Sequence, residues 1–237
     1  MIIGISGFLG SGKDTVADII REQLGEEATA KVALADPMKR IARDVYDFTE
    51  QQLWGPSEMR NGADIRYPRD HSFAYHNAPC GCCGWTPEDD DRQCYLTPRY
   101  ALQKLGTEWA RDCYTDTWCV LAIRTAKTLL ENPALGYSQK QGLTRKIGPI
   151  DLKGDLVPES TKAVMISDVR YKNELAKIRE AGGTLIRVIR KGVDIASNHT
   201  SESEMAGISD NSFHMVVQND GTLENLREKV QELNLTV

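Results

Sequence analysis

The sequence predicts an α/β fold with a five-stranded parallel sheet, helices on both of its faces, and an irregular insertion. Three observations carry this. Short apolar runs of strand length fall at residues 1–5, 30–35, 163–167, 184–189 and 214–217. Segments with apolar residues at helical spacing lie between them. The first run leads directly into a glycine-rich turn, Gly-Phe-Leu-Gly-Ser-Gly-Lys-Asp-Thr at residues 7–15. Strands joined through helices pair in parallel and become buried on both faces. In such sheets ligands bind at the C-terminal edge.

The turn at residues 7–15 has the setting of a phosphate-binding loop, with a strand before it and a helix after it. Gly7, Gly10 and Gly12 let the backbone approach a polyphosphate closely, and the amides of Ser11 and its neighbours at the helix start favour negative charge. Lys13 supplies a mobile positive charge for the outer phosphates. The usual hydroxyl residue after that lysine is replaced by Asp14, with Thr15 one position later. Either could hold magnesium, Asp14 directly or through water, or Thr15 from a shifted register.

Composition sets outer limits. The chain has 237 residues, 41% hydrophobic and 27% charged, which suits one globular domain, residues 1–237, with a small insertion. Its net charge of -5 gives no sign of a nucleic-acid-binding surface, while a few basic residues in a cleft still act on a nucleotide at short range. No apolar run approaches a membrane span, and the N-terminus enters a strand at once, so the expectation is a cytoplasmic protein without a secretion signal. In that compartment its six cysteines are expected to be reduced or metal-bound.

Along the chain, a first helix is expected at residues 14–24, with Val16, Ile19, Ile20 and Leu24 on one face and Gly25 ending it. After the second strand, Asp36 and Pro37 open a helix whose buried stripe is expected to be Met38, Ile41, Ala42 and Val45. This puts Asp36, Lys39 and Arg40 at the C-terminal sheet edge. Residues 47–98 lose helical periodicity and become rich in Pro, Gly, Asn, Asp and Arg, as expected of an insertion that shapes a substrate site. Arg60, Arg66 and Arg69 there meet either a phosphate or solvent. Cys80, Cys83 and Cys94, with Cys82 or one of His71 and His76, have the donor types of a structural zinc site, against the alternative of a reduced cysteine-rich loop.

A helix is expected over residues 98–113, with Leu102, Leu105 and Trp109 as its apolar face. Arg99, Gln103, Thr107 and Arg111 recur every fourth residue on another, slowly turning face, which suits either an anion bearing a polar base or plain solvent. Another helix follows at 116–130, and residues 132–162 read as a surface excursion. The second half returns to strand and helix alternation. The strand at 163–167 ends in Asp168-Val169-Arg170, where a carboxylate can hold magnesium through water or orient an attacking oxygen, and Arg170 can reach a phosphate. Residues 190–212, with Arg190, Lys191 and His199, read as a lid. A last helix is expected to turn Leu223, Leu226, Val230 and Leu233 inward.

Taken together, Gly-Lys-Asp-Thr in the loop, Ala-Asp-Pro-Met-Lys at 35–39, Gln-Leu-Trp-Gly at 52–55, Leu-Gly-Thr-Glu at 105–108, Asp-Val-Arg at 168–170 and Asn-Asp-Gly-Thr at 219–222 resemble the bacteriophage-type deoxynucleoside monophosphate kinases. The likeness spans nearly the whole chain apart from the cysteine cluster and residues 132–162, and its specificity lies in the order of the motifs. It implies a P-loop kinase fold and transfer of the γ-phosphate of ATP to a deoxynucleoside monophosphate, with magnesium. It further implies ATP contacts at Gly10, Ser11, Gly12, Lys13, Asp14, Thr15 and Asn219. The acceptor contacts are expected at Asp36, Lys39, Arg99, Gln103, Thr107 and Arg111. Lys13, Asp168, Arg170 and Arg190 are the expected catalytic residues. The expected partners are small-molecule nucleotides, without nucleic acid or membrane, and a homodimer is compatible with the sequence. Two rivals stand beside this one: a kinase of another small phosphorylated acceptor such as dephospho-coenzyme A, and a non-catalytic nucleotide-binding module.

Overall fold

The computed structural model describes residues 1–69, 94–146, 160–193 and 204–235. In chain order the elements are β1 (Ile2–Ser6), α1 (Lys13–Leu24), β2 (Thr29–Ala33), α2 (Asp36–Tyr46), α3 (Glu50–Trp54), α4 (Ser57–Asn61), β3 (Asp64–Arg69), β4 (Cys94–Leu96) and α5 (Pro98–Gln103). A π-helical stretch (Lys104–Trp109) leads into α6 (Ala110–Cys113), followed by α7 (Thr117–Glu131), β5 (Leu135–Ser138), β6 (Gly142–Arg145), β7 (Ala163–Ser167), α8 (Lys172–Glu180), β8 (Thr184–Ile189), β9 (Met215–Gln218) and α9 (Leu223–Gln231). These elements fall into two compact units: Met1–Asp36 with Asp116–Val237, and Pro37–Thr115.

The first unit holds the five-stranded sheet in the order β2-β7-β1-β8-β9, every pairing parallel, as the alternation of strand and helix predicts. β1 and β7 are buried along their whole length because both sheet faces are covered. On one face Ile3 and Ile5 pack with Val16, Ile19 and Ile20 of α1 and with Leu226 and Val230 of α9. On the other, a Cβ at Gly4 would lie 2.8 Å from Leu185 Cδ2 and 3.0 Å from Ile178 Cδ1, so α8 is seated directly on β1. Each buried aliphatic side chain of this kind contributes about 1.5–3 kcal/mol. The central position of β1 carries its following turn to the C-terminal edge of the sheet, where β7 and β8 also end.

Leu223 departs from the expected inward stripe of α9: it is the first residue of the helix and is 54% exposed. Residues 132–162, read as an excursion, include the β5–β6 hairpin, an antiparallel pair closed by a turn with Gly142 at a positive φ of 84°. Short strands with half-exposed residues give too weak an alternation to be read in sequence.

The second unit is built on Ala42, Phe48, Leu53 and Ala101, with Tyr46 stacked on Phe48 and Tyr67 edge-on to both. The described ends of the 47–98 stretch hold α3, α4, β3 and β4, more order than their composition suggests. A capping box between Thr49 and Gln52 starts α3, and the Asp64 carboxylate gathers Gln52 and Arg66. Arg66 also bonds Asp47, so of the three arginines noted there this one serves the scaffold. Arg69 donates to the Tyr100 hydroxyl, and Arg60 donates to Ser57. Val45, expected in the buried stripe of α2, is 65% exposed, since the single turn of α2 around Ala42 meets the core.

Candidate active site

The chain leaves β1 at Ser6 and turns at Gly7, where a Cβ would sit 2.5 Å from Ser11 Oγ and 2.8 Å from the Val188 carbonyl oxygen. Gly10 and Gly12 have φ of 84° and 90°, the left-handed region that costs glycine little. The Ser11 amide donates to the Phe8 carbonyl at 3.1 Å and the Val16 amide to Gly12 at 2.9 Å, so the loop closes tightly onto the first turn of α1. Among the described residues no side chain caps that helix end, so its first amides can take an anion. Ser11 Oγ is buried and has no hydrogen-bond partner among the described residues. A buried unsatisfied hydroxyl in a glycine cradle has the chemistry of a donor awaiting a phosphate oxygen.

Lys13 is nearly buried, its side chain 7% exposed, with Nζ 3.3 Å from Asp168 Oδ1. Asp168 stands just past the end of β7, next to β1 in the sheet, and has a φ of +67°, unusual for a residue other than glycine. Backbone held this way tends to occur at functional sites. Burial pushes the Asp168 carboxyl up, but the charges and hydrogen bonds of Lys13 and Arg170 outweigh that and hold it below the ordinary carboxylate value. It is ionised at neutral pH. Arg170 approaches the same carboxylate at 3.4 Å.

The turn carrying Asp168 and Arg170 is fixed from behind. The buried Glu174 carboxylate accepts the amides of Arg170 at 2.8 Å and Tyr171 at 3.1 Å. Val169 donates its amide to Ile5 of β1. Glu174 is not among the expected site residues: it lies three residues after Tyr171, which is not the Ser or Thr of a capping-box signature, so the sequence does not mark it.

The remaining expected residues of this unit divide. Asp14 pairs with Lys31 of β2 at 3.0 Å and is largely exposed, and Thr15 is exposed beside it. Asn219, at the end of β9, donates its side-chain amide to the Ser11 carbonyl at 2.9 Å, so it touches the loop itself. Arg190 is exposed immediately after β8. Asp36 is wholly buried; its Oδ2 accepts the Ala33 amide and the Tyr137 hydroxyl, both at 3.0 Å. Tyr137 comes from the unforeseen β5–β6 hairpin and carries no signal in sequence. His199 lies outside the described residues, as do His71, His76, Cys80, Cys82 and Cys83. Cys94 is buried on β4, its Sγ 3.8 Å from the Tyr95 carbonyl. Among the described residues no group of three or more metal-binding side chains forms.

In the second unit, Arg99, Gln103, Thr107 and Arg111 all lie on the continuous helical run of α5, the π stretch and α6. In an α-helix each four-residue step over-rotates by about 40°. The wider π turn offsets that drift, so it keeps these four positions closer to one line than uniform helix would. The same turn rotates Trp109 off the apolar face of Leu102 and Leu105: it is 55% exposed, against expectation. Breaks of this kind recur at functional sites. Lys39 sits over the Trp54 ring at 5.5 Å.

The family profile described as deoxynucleotide monophosphate kinase matches residues 153–230, which include Asp168, Arg170, Glu174 and Asn219. A protein of Acanthamoeba polyphaga mimivirus, provisionally named a deoxynucleotide monophosphate kinase, is 28% identical over 231 residues, covering 97% of this chain and 94% of that protein. The chain is a relative of the deoxynucleotide monophosphate kinases. The deoxynucleotide monophosphate kinase of Escherichia phage RB69 is 32% identical over 69 residues, covering 29% of this chain and 27% of that one. The mimivirus alignment runs nearly end to end in both proteins, so this relative of the kinases shares with it the length that holds the phosphate loop as well as the Asp168 turn. No helix among the described residues is long and apolar enough to cross a membrane.

Proposed function

We propose that the chain is an ATP-dependent deoxynucleoside monophosphate kinase, which moves the γ-phosphate of ATP to a deoxynucleoside monophosphate and yields the diphosphate and ADP. The observation that carries this is the nearly buried Lys13 held 3.3 Å from Asp168, at the rim of a loop shaped by left-handed glycines. The family likeness supplies the acceptor class.

In the reaction an oxygen of the acceptor monophosphate forms a bond to Pγ as the bond from Pγ to the β-bridging oxygen breaks, and ADP departs with that electron pair. Little covalent help is needed; alignment and charge stabilisation do the work. The loop amides and Ser11 Oγ bind the polyphosphate. Lys13 moves its charge from Asp168 onto the outer phosphates, and Arg170 and Arg190 face the transferring group. Asp168 remains ionised and positions the Lys13 and Arg170 cations, through which it acts on the phosphates. Asp36, Lys39, Arg99, Gln103, Thr107 and Arg111 bind the acceptor.

Magnesium fits the donors present: Asp14, Thr15 and Asp168 are hard oxygen groups beside the loop. When bound it neutralises charge on the β- and γ-phosphates. Of the cysteines expected to hold zinc, Cys80, Cys82 and Cys83 lie outside the described residues and Cys94 is buried on β4; zinc forms no part of the mechanism. The setting of the activity is the cytoplasm, where ATP and nucleoside monophosphates occur together.

The test is ADP release from ATP and magnesium across a panel of deoxynucleoside monophosphates, ribonucleoside monophosphates and dephospho-coenzyme A. Release dependent on a deoxynucleoside monophosphate is expected. Release dependent only on dephospho-coenzyme A, or the same with and without any acceptor, overturns the proposal.

A further inference from the structure

We propose that Asn219 and Asp220 form a two-armed brace that sets the phosphate loop and the Arg190 turn in register, making the β9–α9 turn a positioning element of the ATP site. This deepens the kinase proposal and rests on it for the identity of the ligand.

One arm reaches the loop. Asn219 Nδ2 donates to the Ser11 carbonyl at 2.9 Å, and the same amide lies against Gly12, where an added Cβ would be 2.3 Å from it. Ser11 sits between the two left-handed glycines, so this one bond holds the peptide on which the cradle depends. The other arm reaches β8. The Asn219 backbone amide donates to the Ile189 carbonyl at 2.7 Å, and Asp220 Oδ1 accepts the Lys191 amide at 2.7 Å. Arg190 lies between those two anchor points.

A brace works only if its own base is rigid. Here α9 provides that. Thr222 and Asn225 form a capping box, the Lys229 ammonium donates to the Gln218 carbonyl at 2.7 Å, and a Cβ at Gly221 would lie 2.9 Å from Asn225 Oδ1. The turn is therefore fixed at both ends while its two side chains point to the loop on one side and the Arg190 turn on the other. The Asn219 side-chain amide is committed to backbone, which gives this residue a positioning role in place of a direct contact with the nucleotide base.

The test compares Asn219→Ala and Asn219→Asp with Asp220→Ala and Asp220→Asn. It measures nucleotide affinity with a fluorescent ATP analogue, amide hydrogen exchange of residues 8–15 without nucleotide, and KM and kcat separately. Losing one net hydrogen bond to the loop predicts analogue binding weaker by about fivefold to tenfold in both Asn219 variants. Faster exchange at the loop amides and an unchanged acceptor KM are expected with it. Asp220→Ala lowers kcat with little change in ATP affinity, and Asp220→Asn, which keeps the accepting oxygen, restores it. Loop exchange and analogue affinity equal to the parent in the Asn219 variants overturn the brace, as does failure of Asp220→Asn to restore kcat. If either Asn219 variant folds poorly, the other is read by exchange alone. A parent protein that binds the analogue but phosphorylates no deoxynucleotide overturns the kinase proposal and leaves the affinity and exchange readouts of the brace intact.

Discussion

Replacing Asp168 by asparagine keeps the size and the tolerance of left-handed backbone while removing the charge that faces Lys13. Lys13 would stay 7% exposed with no carboxylate at 3.3 Å. Stripping a partner from a fully buried pair costs about 3–5 kcal/mol. Asp168 keeps 30% of its side-chain exposure and water reaches it, so the loss scales down to about 2 kcal/mol. In a chain of this length that lowers Tm by about 4–8 °C. The Asp168 carboxyl is held below its ordinary value, so its contribution is complete above the unfolded-state value near about 4 and disappears as pH falls through the folded-state value. Urea unfolding at neutral pH and in acid should therefore show a gap between parent and Asp168→Asn that is constant down to mildly acidic pH and shrinks below it. The φ of +67° adds a second signature: Asp168→Gly should exceed Asp168→Ala in stability by about 1 kcal/mol, against the usual order of these residues. Equal stability of parent and Asp168→Asn at neutral pH, or a gap that widens in acid, would refute the proposed role of the pair.

Lys13→Ala should keep the fold, seen by circular dichroism, and lose about 2.7–4 kcal/mol of transition-state stabilisation, measured as kcat/KM. Gly12→Ala forces a Cβ to 2.3 Å from Asn219 Nδ2 at a φ of 90°, so ATP-analogue titration should show binding abolished, with the sheet intact by hydrogen exchange. Tyr137→Phe removes the hydroxyl that donates to buried Asp36 and should cost about 1–3 kcal/mol in urea unfolding, with a raised acceptor KM and an unchanged ATP KM.

Much of the sheet was legible because its central strands are fully buried and its strands are separated by well-marked helices: Ile3, Ile5, Val164 and Ile166 are all apolar and all inside. The loop was legible because glycine and lysine at fixed spacing leave little else to be. Features set by tertiary contact were not. Asp168's left-handed backbone, the Tyr137 hydroxyl on Asp36 and the Asn219 bond to Ser11 join residues up to 208 positions apart, and no local pattern encodes them. Val45 and Leu223 depart from expectation because helical spacing names a face, while the extent of core behind it decides how much of that face is covered; Trp109 departs because the π turn breaks the spacing itself. The π stretch is likewise silent in the sequence, since its Lys-Leu-Gly-Thr-Glu-Trp run has ordinary helical composition apart from Gly106.

The most direct measurement follows the label from ATP carrying a radioactive γ-phosphate, in a single turnover with magnesium and one deoxynucleoside monophosphate at a time. The account requires the label to appear as the β-phosphate of a deoxynucleoside diphosphate, and to appear about a hundredfold to a thousandfold more slowly with Lys13→Ala. Label found only in inorganic phosphate, or transfer at the parent rate without Lys13, would contradict it.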